Sequence, residues 1–401
     1  MSLLLRNGLL LDVTTGAYTE ADLRCAGGRI VETGPRLSAP DGTRVLDLAG
    51  AYVVPGLIDA HVHVTALTAD LGAIGSMAPS YVAAHSARIM SGMLERGFTT
   101  VRDASGADFG LAAAQAEGLI RGPRLLFGGK GLSQTGGHAD FRRPGEHLHD
   151  DHPCCAGLGR VADGVDAVRA AARDELRKGA HHIKVMASGG VASPTDRIDS
   201  TQYSMDELRA AVEEAEAANR YVAAHAYTAR AVNRALEAGI RSIEHGNLID
   251  DDSVELFLRH DAFLVPTLVT YWALKEEGRA SGLPEASVRK VDEVLGAGLA
   301  ALERAARGGV RLVYGSDLLG DMHRHQNHEF RLRCEVQQPI DVLRSATTVA
   351  AELAGMAGEI GTLDMGAHAD LLVLDGDPLG DAGVLAGPEH IRHVVQAGVI
   401  A

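Results

Sequence analysis

The sequence predicts an α/β protein: a (β/α)8 TIM barrel with a small β-sandwich domain built from both chain ends. Three observations predict it. Short apolar runs alternate with long helical patterns from about residue 56 to about residue 350, the mark of repeated βα units and a parallel sheet. Eight such runs can be counted, and eight repeats over roughly 300 residues fit a barrel with insertions, whose usual size is about 250. At both chain ends the pattern changes to short strand-like runs without long helices.

In chain order, residues 2–5, 9–13, 21–25, 29–33 and 44–47 are strand-like and separated by Gly and Asn. They read as a small antiparallel sheet. The character changes at 52–55. The core strands expected after it are 57–62, 99–102, 124–127, 182–186, 221–224, 242–244, 263–266 and 311–314. Between them, 165–178 sets Val165, Val168, Ala172 and Leu176 roughly on one helical face, and 205–218 and 228–238 behave alike. Gly179 and Gly239 stand where C-caps are expected. A doubly wound open sheet is the rival architecture, but no Gly-rich dinucleotide fingerprint follows the first strand. Residues 369–375 and 391–396 read as strands returning to the N-terminal sheet. The expected division is therefore 1–55 and 366–401 in the sandwich and 56–365 in the barrel. The long loop from Gly128 to Asp163, with its Gly, Pro and His clusters, is of the kind used as a lid or binding loop.

The 401 residues are 46% apolar and 23% charged, enough for a sizeable core. A net charge of −15 with no Lys/Arg-rich run argues against nucleic acid or an anionic membrane as main partner. No apolar run reaches the roughly 18–20 residues of a membrane span. The start, Met1-Ser2-Leu3-Leu4-Leu5-Arg6, has no basic n-region, so no signal peptide is expected. The four cysteines, Cys25, Cys154, Cys155 and Cys334, are too few for a disulfide framework, and the adjacent pair would form only a strained bridge. The expectation from these absences is a cytoplasmic protein.

Polar residues cluster at the predicted strand ends. His61 and His63 close the first strand, where residues i and i+2 share a face. His147 and His149 have the same spacing but lie in a loop, with no strand to orient them. Lys184 lies in the fourth strand, His225 closes the fifth, His245 closes the sixth, and Asp317 follows the eighth. A barrel keeps its active site at the C-terminal strand ends. Each residue alone has a bland account: Lys184 as a helix cap, His225 on a backbone carbonyl. Six ligand-type side chains at one mouth point instead to a metal site.

The run Pro55-Gly56-Leu57-Ile58-Asp59-Ala60-His61-Val62-His63 resembles the first-strand motif of the amidohydrolase superfamily. The strand-four lysine, two single histidines and final aspartate match its binuclear pattern, and the resemblance extends through the tail Gly361-Thr362-Leu363-Asp364-Met365-Gly366. It implies two divalent metal ions, usually zinc, with Lys184 carboxylated by CO2 to a bridging carbamate. His61, His63 and Asp317 would bind the more buried metal, and His225 and His245 the second. The charge logic agrees. A lysine forms a carbamate only as the free amine, so burial and nearby cations must depress its pKa. A carbamate suits two cations about 3.5–4 Å apart, and water shared by them has its pKa pulled toward about 7. Asp317 is then the catalytic proton shuttle between that water and the leaving amine. The competing arrangement is an unmodified Lys184 paired with Asp317 in a mononuclear enzyme.

Further strings resemble the prolidase-like subgroup: Thr99-Thr100-Val101-Arg102-Asp103, Gly136-Gly137-His138, Ile183-Lys184-Val185-Met186, Ala224-His225-Ala226-Tyr227 and Ile243-Glu244-His245-Gly246. That subgroup cleaves Xaa-Pro dipeptides, other C-terminal amino acids or N-acyl amino acids, and similar enzymes hydrolyse the amide of ochratoxin A. The resemblance thus implies a small-molecule amide substrate and a homo-oligomer. Tyr227 and His138 become substrate-binding candidates, each offering a proton to a carboxylate or developing oxyanion. A substrate carboxylate usually attracts an arginine, and Arg142, Arg143, Arg197 and Arg324 are candidates in predicted rim loops. His323, His325 and His328 are expected in a solvated loop. The alternative is a mononuclear cyclic-amide hydrolase or deaminase similar to imidazolonepropionase, against which Lys184 counts. A scaffold that had lost its ligands is a third reading, and no ligand is missing.

Overall fold

The computed structural model describes residues 2–143, 145–146, 156–193, 195–283 and 285–401. The His147/His149 pair and the Cys154/Cys155 pair lie outside the described residues. All eight expected core strands form: β1 Leu57–Val62, β2 Phe98–Asp103, β3 Arg124–Phe127, β4 His182–Met186, β5 Tyr221–Thr228, β6 Ser242–Leu248, β7 Phe263–Val265 and β8 Arg311–Leu312. β1, β2 and β3 pair in parallel in one sheet, and β4 to β8 pair in parallel order in a second. Backbone hydrogen bonds link the two sheets along both edges. His181 N donates to Phe127 O at 2.8 Å, and Ala60 N donates to Tyr314 O at 2.8 Å. Within the 128–163 loop, two short strands, Gly131–Ser133 and Gly159–Val161, extend the second sheet where the sequence shows little periodicity.

Strand alternation decides what reaches the site. Ile183 and Val185 of β4 join the cluster formed with Val168, Ala172, Leu208 and Ala211 of the covering helices. His182, Lys184 and Met186 therefore take the opposite face. Those helices start where their caps dictate. Ser204 and Glu207 form a capping box ahead of Met205–Ala217, and Thr228 accepts from Ala231 N ahead of Ala229–Glu237. Val165–Arg177 and Ala229–Glu237 end ahead of Gly179 and Gly239, whose φ values of +98° and +94° suit a residue without Cβ. No helix among the described residues is long and apolar enough to cross a membrane.

The terminal sheet departs from expectation in two respects. Residues 2–5 and 9–13 are one bulged strand, Ser2–Asp12, and the sheet is mixed rather than antiparallel. This strand pairs antiparallel with Ala17–Ala26 but parallel with Arg44–Asp47 and Tyr52–Pro55. The bulge between Leu5 and Gly8, where Asn7 takes φ +56°, lets one strand meet two partners in succession. Leu371–Leu374 then adds antiparallel to Tyr52–Pro55, the expected return, giving one hydrogen-bonded mixed sheet of eight strands. Its alternation joins the two parts of the molecule. Leu371 and Val373 pack with Leu3, Leu23 and Val53, while Leu372 and Leu374 pack with Met90 and Phe98.

Candidate metal centre

His61 and His63 end β1 on its interior face, and both are buried. The Nδ1 atom of His61 lies 2.6 Å from Glu244 Oε2, and that of His63 lies 2.7 Å from the carbonyl of Ser105. A carboxylate and a carbonyl only accept, so each Nδ1 must donate and each Nε2 keeps its lone pair. Those lone pairs face one oxygen. Asp317 Oδ1 is 3.1 Å from His63 Nε2 and 3.5 Å from His61 Nε2. Burial favours the carboxylic acid at Asp317, but His61 and His63 prevail and hold it well below the usual range. At His63 burial is in turn outweighed by Asp317, which raises its pKa, whereas burial and Lys184 lower His61 to about 4. Three acceptors facing one another need a positive charge between them, either a proton on His63 or a bound cation.

The other ligand candidates close the ring. His225 Nε2 donates to Gly189 O at 3.1 Å, leaving Nδ1 as the lone pair. His245 packs 4.6 Å from His225 and 5.0 Å from His61, between ring centroids, with Nδ1 2.8 Å from Thr267 Oγ1. Ligand atoms of His61, His245 and Asp317 lie within 4.8 Å of one another. Lys184 is buried and makes no hydrogen bond or ion pair with any described residue. Burial, reinforced by Arg102 against the opposite pull of Glu244 and Asp317, lowers its pKa to about 8. A free amine is thus accessible near neutrality, as carboxylation requires. All six predicted ligands line one cavity together with His138 and Tyr227. Its rim carries backbone strain: His245, Thr267 and Asp317 adopt left-handed φ values of +75°, +49° and +53°. Such strain costs on the order of 1–3 kcal/mol per residue and concentrates at functional sites.

Residues 52–401 match the amidohydrolase family. The chain belongs to that family. It is 33% identical over 360 residues to the ochratoxinase of Aspergillus niger, covering 86% of this chain and 75% of that protein. The crystal structure of a prolidase complexed with N-methylphosphonate-L-proline is 50% identical, with a TM-score of 0.97 and coverage of 100% of this chain and 99% of that one. A Xaa-Pro dipeptidase with methionine bound in its active site is 27% identical, with a TM-score of 0.87 and full coverage of both chains. Amidohydrolases use divalent metals, and the His61, His245 and Asp317 group is a candidate to hold one here.

Both substrate candidates of this amidohydrolase line the cavity, Tyr227 buried and His138 partly exposed. Tyr227 accepts a hydrogen bond from Tyr271 Oη at 3.0 Å. His138 stacks on His225 at 4.0 Å, with Nδ1 2.8 Å from Ser193 Oγ. Ser193 gives its own proton to Asp196, so it must accept from His138 Nδ1. The neutral ring then offers Nε2 as an acceptor, and the donor role expected for His138 needs the imidazolium. None of the four candidate arginines lines the cavity. Arg142 pairs with Asp140, Arg143 with Asp70, Arg197 with Asp199 and Arg324 with Glu277. The solvated loop expected for His323 is corrected too: its buried ring donates to Ala66 O at 3.2 Å, and His325 pairs with Glu277.

Sequence reasoning gave no role to the residues behind the ligands. Glu244 and Arg102 stand behind His61. Asp59 accepts from His61 N at 3.0 Å and from Ser316 Oγ at 2.5 Å, tying β1 to the segment that carries Asp317. Their signal was present, since all three sit inside the strings that carry the family resemblance.

Proposed function

We propose that this amidohydrolase is a binuclear metal-dependent amide hydrolase acting on dipeptides or N-acyl amino acids, prolidase-like with ochratoxin A in range. The observation that carries it is the convergence of lone pairs from His61, His63 and His225 with the Asp317 carboxylate on one cavity that also holds a lysine with no hydrogen-bond partner among the described residues. In this reading residues 56–365 form a closed (β/α)8 barrel, supported by the hydrogen bonds along both sheet edges. Residues 1–55 and 366–401 form the β domain beside it. His61, His63 and Asp317 would hold one cation and His225 and His245 the other, with carboxylated Lys184 as a ligand common to both. Two divalent cations held there would polarise the scissile carbonyl and lower the pKa of water toward about 7.

The chain's own groups do the rest. Asp317, ionised by its histidine neighbours, accepts the proton of the attacking water and returns it to the leaving amine. Tyr227 accepts from Tyr271 and from the backbone of Val191, so its own proton is free for a substrate carboxylate or the developing oxyanion. Leu71, Met186, Val191, Leu274 and Leu319 give the cavity apolar walls, which favour apolar substrate side chains. The 50%-identical prolidase that holds N-methylphosphonate-L-proline supports this choice of substrate class. We also take the active form to be a homo-oligomer.

The test is a substrate screen on protein loaded with zinc and bicarbonate, using Xaa-Pro, Xaa-Arg and N-acyl-Phe compounds including ochratoxin A. Close to two zinc per chain and turnover that chelation abolishes are expected. One zinc per chain with turnover of cyclic amides only would replace this reading with the mononuclear one.

A further inference from the structure

Beneath the cavity floor lies a charged pair that the mechanism above leaves unused. Arg102 on β2 and Glu244 on β6 are buried, with side-chain exposures of 2% and 0%. Every Arg102 donor is committed. Nε donates to Ala60 O, Nη1 reaches Tyr221 Oη and Ser242 Oγ at 3.3 Å each, and Nη2 reaches both Glu244 oxygens at 2.8 Å. Ser242 Oγ also donates to Glu244 Oε1 at 2.6 Å. Among the described residues, the one remaining hydrogen-bond partner of Glu244 is His61, whose Nδ1 lies 2.6 Å from Oε2.

We infer that Glu244, fixed by Arg102, is a positioning residue that selects the Nδ1–H tautomer of His61 and thereby decides whether the cation at His61 and Asp317 is retained. The inference rests on the proposed cation there, and its logic is one of donors and acceptors. Arg102 and Ser242 can only donate to Glu244, so Glu244 must accept from His61. If the carboxylate were replaced by a group able to donate to Nδ1, the imidazole proton would move to Nε2. It would then lie between His61 and Asp317, in the space a cation needs. A carboxylate behind a ligating imidazole also raises ligand basicity, and loss of such a partner typically weakens metal binding about 10- to 100-fold. The effect should be local. His225 is the register partner of Glu244 across β5 and β6, but its outer nitrogen bonds Gly189 O, and among the described residues no side-chain hydrogen bond joins it to this pair.

The test is zinc content and affinity of Glu244→Gln, by competition with a chromogenic chelator on purified full-length protein, beside its unfolding temperature. The expected result is one zinc held about 10- to 100-fold more weakly and the other unchanged. Glu244→Gln leaves Arg102 buried without its counter-charge, which itself threatens the fold. Arg102→Met/Glu244→Gln removes both charges and gives the same reading if the single variant does not fold. Two zinc ions held with wild-type affinity in a folded variant overturn this inference alone. Wild-type protein that takes up no zinc overturns the functional reading and this inference with it.

Discussion

The end of β1 and the ends of β4 to β6 present ligand side chains to the same cavity, yet they are anchored differently. On the β1 side every outward-facing atom is committed. His61 leans on Glu244, His63 on the Ser105 carbonyl, and Asp317 N donates to His61 O at 2.8 Å. Asp59 fastens both strands from below. On the other side Lys184 makes no hydrogen bond among the described residues, His225 holds a carbonyl at 3.1 Å, and His245 depends on a hydroxyl from a strained threonine. One half is set before any cation arrives; in the proposed function the other would gain its order from the cation and the carbamate. A site so divided should lose its metals in sequence rather than together.

The comparison breaks most visibly at Asp317, the residue both halves share. Asp317→Asn keeps the shape and removes the charge and the proton acceptor. It should lower kcat by about 10²–10⁴-fold, the usual worth of a positioned general base, with unchanged circular dichroism. Near-wild-type turnover would remove Asp317 as proton shuttle. Lys184→Ala comes next, since it would delete the proposed bridge while leaving the β1 half intact. Zinc analysis should show the His225/His245 ion lost first and activity falling with it. A variant that keeps both ions and full rate would refute the bridging role. Tyr227→Phe keeps the ring that packs on His225 and His245 and removes only the hydroxyl, so it should leave zinc content unchanged while costing about 10²-fold in kcat, the low end for one oxyanion donor. A change confined to KM would place the hydroxyl on the substrate carboxylate instead.

The two halves were not equally legible in the sequence. Short apolar runs between helical patterns gave the eight strands, and period-two strand geometry gave the shared face of His61 and His63. It could not give Glu244. Neighbours on a strand point to opposite faces, so Glu244 and His245 cannot both face inward on a regular β6. They do so because His245 takes φ +75° and turns its ring back over the cavity. Gly246, at φ +60°, was the visible hint of that break. The mixed terminal sheet was hidden for a similar reason, a bulge at Asn7 that no hydrophobic pattern encodes. His323 was misjudged because its burial comes from a long-range contact with Ala66, made only once the chain has folded.

The smallest expected effect concerns what stands behind the weaker half. The turn carrying Thr267 is held by Glu329, whose Oε2 accepts from Val269 N at 2.7 Å. Burial raises the Glu329 pKa from its usual 4.5 to about 7, with Arg333 opposing. The native state therefore binds this proton more tightly than the unfolded chain does. Stability contributed by that proton is fully present below pH 4.5, is lost as pH rises toward about 7, and is constant above. The loss should be on the order of 1–3 kcal/mol. Glu329→Gln cannot titrate, so urea unfolding of wild-type and variant protein should diverge between pH 5 and pH 8, the wild type losing more. Parallel pH profiles would show that Glu329 is charged throughout. The His245 side would then rest on an ionised carboxylate, as the His61 side does, and the contrast between the halves would narrow to Lys184.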